Sequence, residues 1–213
     1  MTAEFARHAD TFLRYRGRLH DFPDFQFEQD GGVRGHTLPV RWDGTLDDLP
    51  RGIDGTFERA FEEGGANVLC AVNVTVPPEL RGRGLSGKAL ERMIELARSH
   101  GFPQLIAPVM PTMKHRYPIT PIERYAEWRR EDGLPFDPWM RTHARLGAEI
   151  LKPERESVRV FGTVAEWEEW TEMAFPESDE YVIPEGLAPL TIDREADAGL
   201  YYEPNVWMVH TVS

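Results

Sequence analysis

The stretch Val74-Thr75-Val76-Pro77-Pro78-Glu79-Leu80-Arg81-Gly82-Arg83-Gly84-Leu85-Ser86-Gly87-Lys88 decides the fold. A β-rich apolar segment runs into an Arg/Gly-rich turn, and the turn opens a long amphipathic helix. A turn so placed gathers backbone N–H groups at a helix N-terminus, which suits a pyrophosphate. Gly82 and Gly84 let the backbone approach phosphates closely, and Arg81 and Arg83 add fixed positive charge.

The flanks of this stretch are ordered. Residues 67–76 are nearly continuously apolar, as a central strand buried on both faces requires. In residues 85–100, Leu85, Ala89, Leu90, Met93, Ile94, Leu96 and Ala97 recur at helical spacing, with Lys88, Glu91, Arg92, Glu95 and Arg98 on the other side. Gly101 stops the helix and Pro103 follows. Residues 105–109 form the next strand. Pro108 removes a ladder donor, so a splay or a sheet edge is expected there. A strand–helix–strand unit of this kind wants a right-handed crossover.

Working outward, residues 1–20 read as a surface helix with Phe5, Phe12 and Leu13 partly buried. Residues 25–28 and 33–42 pair as a hairpin around Asp30-Gly31-Gly32. A helix centres on Phe57 to Phe61. Thr120 caps a helix with Pro121 at its first position, and Tyr125 and Trp128 lie on it. Asp137-Pro138-Trp139 starts another helix that ends at Gly147. Residues 157–161 are a strand, and Thr163 caps a helix on which Trp167 and Trp170 share a face. Residues 193–213 are turn-rich, with a final strand expected at 205–209.

The bulk numbers are those of an ordinary globular chain of 213 residues, 41% hydrophobic and 28% charged. A net charge of −12 argues against a nucleic-acid partner. No apolar run reaches the length of a membrane span, and no signal peptide is visible. The single cysteine, Cys70, lies in an apolar run and reads as an inert core thiol in a reducing cytoplasm. The histidines show no ligand spacing with cysteine or paired carboxylates, so no metal is expected.

This pattern resembles the GNAT acyltransferase superfamily, whose signature is Arg/Gln-x-x-Gly-x-Gly/Ala between a buried strand and a helix. Here it reads Arg81-Gly82-Arg83-Gly84-Leu85-Ser86, with serine in the last position. The resemblance covers residues 25–161. It implies an α/β (α+β) fold, a mixed and splayed central sheet flanked by helices. Residues 1–213 form a single domain in this reading: an N-terminal helix (1–24), a core (25–161) with a helical insertion (111–140), and a C-terminal extension (162–213). Tyr181, Tyr201, Tyr202 and Trp207 suggest that the extension packs on the domain or on a second subunit of a homodimer.

The resemblance also implies a cofactor and a chemistry. Acetyl-coenzyme A or another acyl-coenzyme A would lie between the splayed strands as the donor. Val74 and Val76 would hydrogen-bond its pantetheine arm, and Arg81, Gly82, Arg83, Gly84, Leu85, Ser86 and Gly87 would hold its pyrophosphate. His143, four residues before Gly147, stands where the family often has a tyrosine near the sulfur. As an imidazolium it would protonate the leaving thiolate. The usual acidic base is absent from residues 67–76. Polyketide loading domains with a similar fold use a Thr/His pair for decarboxylation, which Thr112, His115 and His143 would supply. The acceptor is a small molecule, such as an amine, or a carrier protein. The alternatives are an acyl-coenzyme A-binding module without transferase activity and a carrier-protein-directed acyltransferase or decarboxylase of specialised metabolism.

Overall fold

The computed structural model describes residues 5–212. The expectation for residues 1–4 lies outside the described residues. The described strands are β1 (Gln26–Gln29), β2 (Val33–Val40), β3 (Val68–Thr75), β4 (Gln104–Val109), β5 (Glu149–Gly162), β6 (Asp179–Tyr181), β7 (Leu190–Asp193) and β8 (Ala198–Thr211). They form one mostly antiparallel sheet in the order β1-β2-β3-β4-β8-β7-β6, with β5 also pairing β8. The α-helices are α1 (Asp10–Tyr15), α2 (Gly52–Glu62), α3 (Leu85–Ser99), α4 (Ile122–Ala126), α5 (Pro138–Arg145) and α6 (Val164–Thr171). The fold class is therefore the mixed, helix-flanked sheet that the sequence predicts.

The crossover β3–α3–β4 is the one parallel step, and it is short. Only Leu69 pairs with Leu105 and Cys70 with Ile106. Beyond that point the strands part, just before Pro108. The expected splay is there, but the alternative of a sheet edge is not: β8 pairs β4 on its other side, Pro108 lying opposite Trp207. Pro108 keeps its carbonyl satisfied through the Asn205 Nδ2 donor at 2.7 Å.

Side-chain alternation sorts the two faces of the sheet. Cys70, Ile106, Trp207 and Val209 pack with Phe57 and Ala60 of α2. Leu69 and Leu105 pack with Leu90, Met93 and Ala97 of α3. Ala107, Val206 and Met208 pack with Tyr125 and Met140 of α4 and α5. Burying each such side chain contributes about 1.5–3 kcal/mol, so both helical layers are firmly attached.

Several local expectations need correction. The N-terminal segment is not one helix; α1 lies between 3-10 turns at Phe5–His8 and Arg16–Asp21. Phe5 is buried, while Leu13 is exposed. Helix α4 starts one residue late, with Pro121 at its N-cap and no side-chain cap, so Thr120 has no capping role. Strand β3 is fully buried only over Val68–Cys70; its second half is half-buried because it borders a cavity. The largest error concerns the chain's end. Strand β8 runs 14 residues rather than five and lies inside the sheet. Tyr201 and Trp207 are fully buried within this one chain. Pro204 and Asn205 disguise the strand, since neither residue favours a central position.

The expected cap at Thr163 is present, and Asp137 caps α5. Asp137 Oδ1 accepts from the backbone N–H groups of Trp139 and Met140 at 2.9 and 3.2 Å. Thr163 and Glu166 form a reciprocal capping box. Within the insertion, Tyr117, Tyr125, Trp128 and Phe136 make a mutual aromatic cluster. The buried Lys114 ammonium donates to the carbonyls of Tyr117, Pro118 and Leu187, tying the insertion to the C-terminal extension. Most of the insertion is thus packed structure.

Candidate active site

A cavity of about 690 Å³ opens where β3 and β4 part. That volume suits a small-molecule site. Its walls come from both faces of the sheet. Leu90 and Met93 of α3 and Trp139 and His143 of α5 stand on one side. Phe12, Leu19, Ile53 and Phe57 stand on the other. The cavity therefore passes through the sheet at the splay.

The turn that opens α3 forms one mouth. Gly82 and Gly84 take φ of +77° and +73°, a left-handed conformation that side chains disfavour. Gly84 is the N-cap of α3, and no side chain caps that end. The first N–H groups of a helix have no partner within it, so this 15-residue helix presents free donors and the positive end of its dipole. Arg81, Gly82, Gly84, Leu85 and Ser86 line the cavity, as do Val74 and Val76. Arg83 and Gly87 belong to the same turn but not to the wall. Arg83 donates to the Glu79 carbonyl at 3.3 Å instead.

On the α3–α5 side, His143 is nearly fully buried, and burial pushes its imidazole down to about 3, with the neighbouring His210 adding to the shift. It is neutral at neutral pH, so the expected imidazolium acid is corrected to a neutral imidazole. Its tautomer follows from a chain of hydrogen bonds. The Leu146 carbonyl can only accept, so His210 Nδ1 carries a proton toward it at 3.4 Å. His210 Nε2 is then the acceptor for the His143 Nδ1–H at 3.0 Å. His143 Nε2 is left with a lone pair rather than a proton. Thr112 shares the cavity wall with His143; His115, on the 3-10 turn Lys114–Arg116, is not on it.

The opposite side holds the group that sequence reasoning missed. Glu203 of β8 is fully enclosed and faces the cavity. Among the described residues no protein donor reaches its carboxylate. Burial, reinforced by the charge of Asp54, pushes it up to about 8. Asp54 of α2 is itself raised to about 6 by burial, opposed by the Arg159 backbone N–H that donates to its Oδ2 at 2.8 Å. Asn205, next to Glu203 on the same face, also lines the cavity and keeps its Oδ1 without a donor. The carboxyl group on this cavity thus lies two strands away from β3, on β8. The available signal was the lone charged residue, Glu203, within Leu200-Tyr201-Tyr202-Glu203-Pro204-Asn205-Val206.

Cys70 is buried beside Thr56, and burial pushes its thiol up to about 12, so it is inert as expected. Among the described residues no helix is long and apolar enough to cross a membrane.

Known proteins provide the comparison. No family profile matches the chain. It is 30% identical, over 206 aligned positions, to an arginine N-acetyltransferase, avaD, of Aspergillus versicolor; the alignment covers 84% of this chain and 69% of that one. Among solved structures it is similar to the loading GNATL domain of CurA from Lyngbya majuscula, with a TM-score of 0.62 and 19% identity over 100% of this chain and 87% of that one. It is also similar to the GphF GNAT-like decarboxylase in complex with isobutyryl-CoA, with a TM-score of 0.55 and 14% identity over 98% of this chain and 92% of that one. At those identities the two structures speak for the fold.

Proposed function

The chain belongs to the GNAT acyltransferase superfamily, and from that premise we propose that it transfers an acyl group from acyl-coenzyme A directly to a small amine. One observation carries the reading: a single cavity joins an uncapped helix N-terminus to a buried, unpartnered carboxylate across the sheet. The donor enters on the α3 side. The N–H groups of Leu85 and Ser86 and the Arg81 guanidinium receive the pyrophosphate. The pantetheine arm lies along Val74 and Val76, where β3 has left β4, and carries the thioester to the splay. Acetyl-coenzyme A is the donor of first choice.

The acceptor enters from the α2 side. Its neutral nitrogen attacks the thioester carbonyl carbon, a C–N bond forms, and the C–S bond breaks. The nitrogen's proton passes to Glu203, directly or through one water, and coenzyme A leaves as a thiolate that takes a proton from solvent. A carboxylate raised to about 8 is well matched to an amine's proton. His143 Nε2 accepts a hydrogen bond from the bound donor. Isothermal titration calorimetry with acetyl-coenzyme A tests the first half, and coenzyme A release with an amine panel tests the second. Millimolar acetyl-coenzyme A without a binding isotherm contradicts the reading. Binding with no release leaves only a binding module.

A second reading has its own observation, that Thr112 and His143 share the cavity wall. It makes the protein a carrier-protein-directed acyltransferase or decarboxylase. Release of CO2 from malonyl-coenzyme A, lost in Thr112→Ala, would favour it over amine acylation.

A further inference from the structure

Resting on the amine-transfer reading above, we infer that the acceptor is a zwitterion of the amino-acid class, its carboxylate held by Arg16 and its amine presented to Glu203. The α2 side of the cavity carries a carboxyl group and a guanidinium, and neither is paired by the protein. Glu203 is enclosed, and the charge nearest to it, Asp54, is of the same sign. A buried carboxylate without a cation is costly, and a ligand ammonium offsets that cost. Arg16 is exposed at the rim of the same cavity. Its guanidinium lies 5.9 Å from the centroid of the Phe12 ring, and among the described residues no carboxylate comes within ion-pair distance of it. A guanidinium offers a fork of donors that matches a carboxylate.

The cavity lining otherwise includes the apolar side chains of Phe12, Leu19, Ile53 and Val158. They offer no competing hydrogen bond and accept an aliphatic body. Other charged groups on the cavity are accounted for. Arg81 belongs to the donor turn on the far side. His36 is half-buried, its pKa lowered by burial, and its Nδ1 lies 2.8 Å from Gln26 Oε1. A simple amine would satisfy Glu203 and leave Arg16 idle. A simple acid would meet Arg16 and leave Glu203 without a partner. Only a molecule bearing both groups answers both ends.

The test compares matched acceptors with saturating acetyl-coenzyme A: L-leucine against L-leucinamide and isoamylamine, and L-arginine against L-argininamide. The free acids are expected to exceed their carboxamides at least tenfold in kcat/KM. Arg16→Gln is expected to lower kcat/KM for the acids at least tenfold more than for the carboxamides, through KM rather than kcat. Carboxamides or isoamylamine that match or exceed the acids overturn the inference, as does a variant that affects both classes equally. A similar loss of acetyl-coenzyme A affinity in Arg16→Gln, read by calorimetry, also overturns it by moving Arg16 to the donor site. If amines are acetylated without regard to a carboxylate, this inference alone falls. If the donor binds and no amine is acetylated, the transfer reading falls and takes this one with it.

Discussion

The two sides of the cavity are built in opposite ways. On the donor side, the strand that leaves the sheet, the turn and the helix N-terminus come from one continuous run, Val72 to Ser86. On the acceptor side, Phe12, Ile53, Val158 and Glu203 come from four elements that are distant in sequence and meet only in the folded sheet. Local geometry builds the proposed donor side, whereas tertiary packing builds the proposed acceptor side. Substitutions should therefore separate: those in the turn change coenzyme affinity, and those around Glu203 change turnover.

The largest expected effect is at Glu203. Replacing a positioned general base typically costs about 10²–10⁴ in rate. Glu203→Gln is expected to lower kcat by that range while leaving the calorimetric Kd for acetyl-coenzyme A within about twofold. Unchanged turnover would remove Glu203 from the proton transfer and break the comparison on the acceptor side.

Next in size is the donor turn. A charge-assisted phosphate contact is worth about 1.5–3 kcal/mol, roughly 10–150-fold in Kd. Arg81→Ala should weaken acetyl-coenzyme A by that factor. Arg83→Ala should cost less, because Arg83 is turned to the Glu79 carbonyl rather than to the cavity. Equal losses, measured by titration calorimetry, would mean that both arginines share the pyrophosphate.

A smaller effect belongs to His143. In the proposed complex its Nε2 lone pair accepts a hydrogen bond from the bound donor, so His143→Ala should weaken acetyl-coenzyme A binding about tenfold and lower kcat/KM by a similar factor. His210→Ala should reproduce part of that loss by releasing the His143 tautomer. A His210 variant with wild-type kinetics across the pH range would show that the histidine chain is only structural.

The last prediction concerns stability. A free glutamate titrates near about 4.3, while folded Glu203 is raised to about 8. Below the lower value both states are protonated and the group costs nothing. Between the two values only the unfolded chain ionises, so the group removes stability as pH rises through that window. Asp54 acts in the same direction, up to about 6. Glu203→Gln should therefore gain on the wild type as pH increases from 5 to 8. Thermal melts would show the Tm difference widening by about 2–4 °C per kcal/mol. A constant difference would mean that Glu203 is not held protonated.

The same contrast explains what could be read from the chain. The strand, the glycine turn and helix α3 were legible because each signal is local: apolar continuity, an αL glycine, a 3.6-residue period. Pro108 announced the splay, but only the pairing of Pro108 with Trp207 shows that β4 is interior. Only residues 205–209 of strand β8 were legible, because Pro204 interrupts its pattern, and Glu203 was lost with the first half. Burying that carboxylate depends on β5, α2 and the end of the chain together. His143 lines the cavity, yet its charge was not readable, since burial and His210 set it.

The central claim is that donor and acceptor occupy opposite faces of one splayed sheet. Amide hydrogen exchange with coenzyme A alone tests it most directly. The expected result is slowed exchange at residues 72–76 and 85–87, with residues 53–57 unchanged. Protection of residues 53–57 by coenzyme A, or none at residues 72–76, would contradict it.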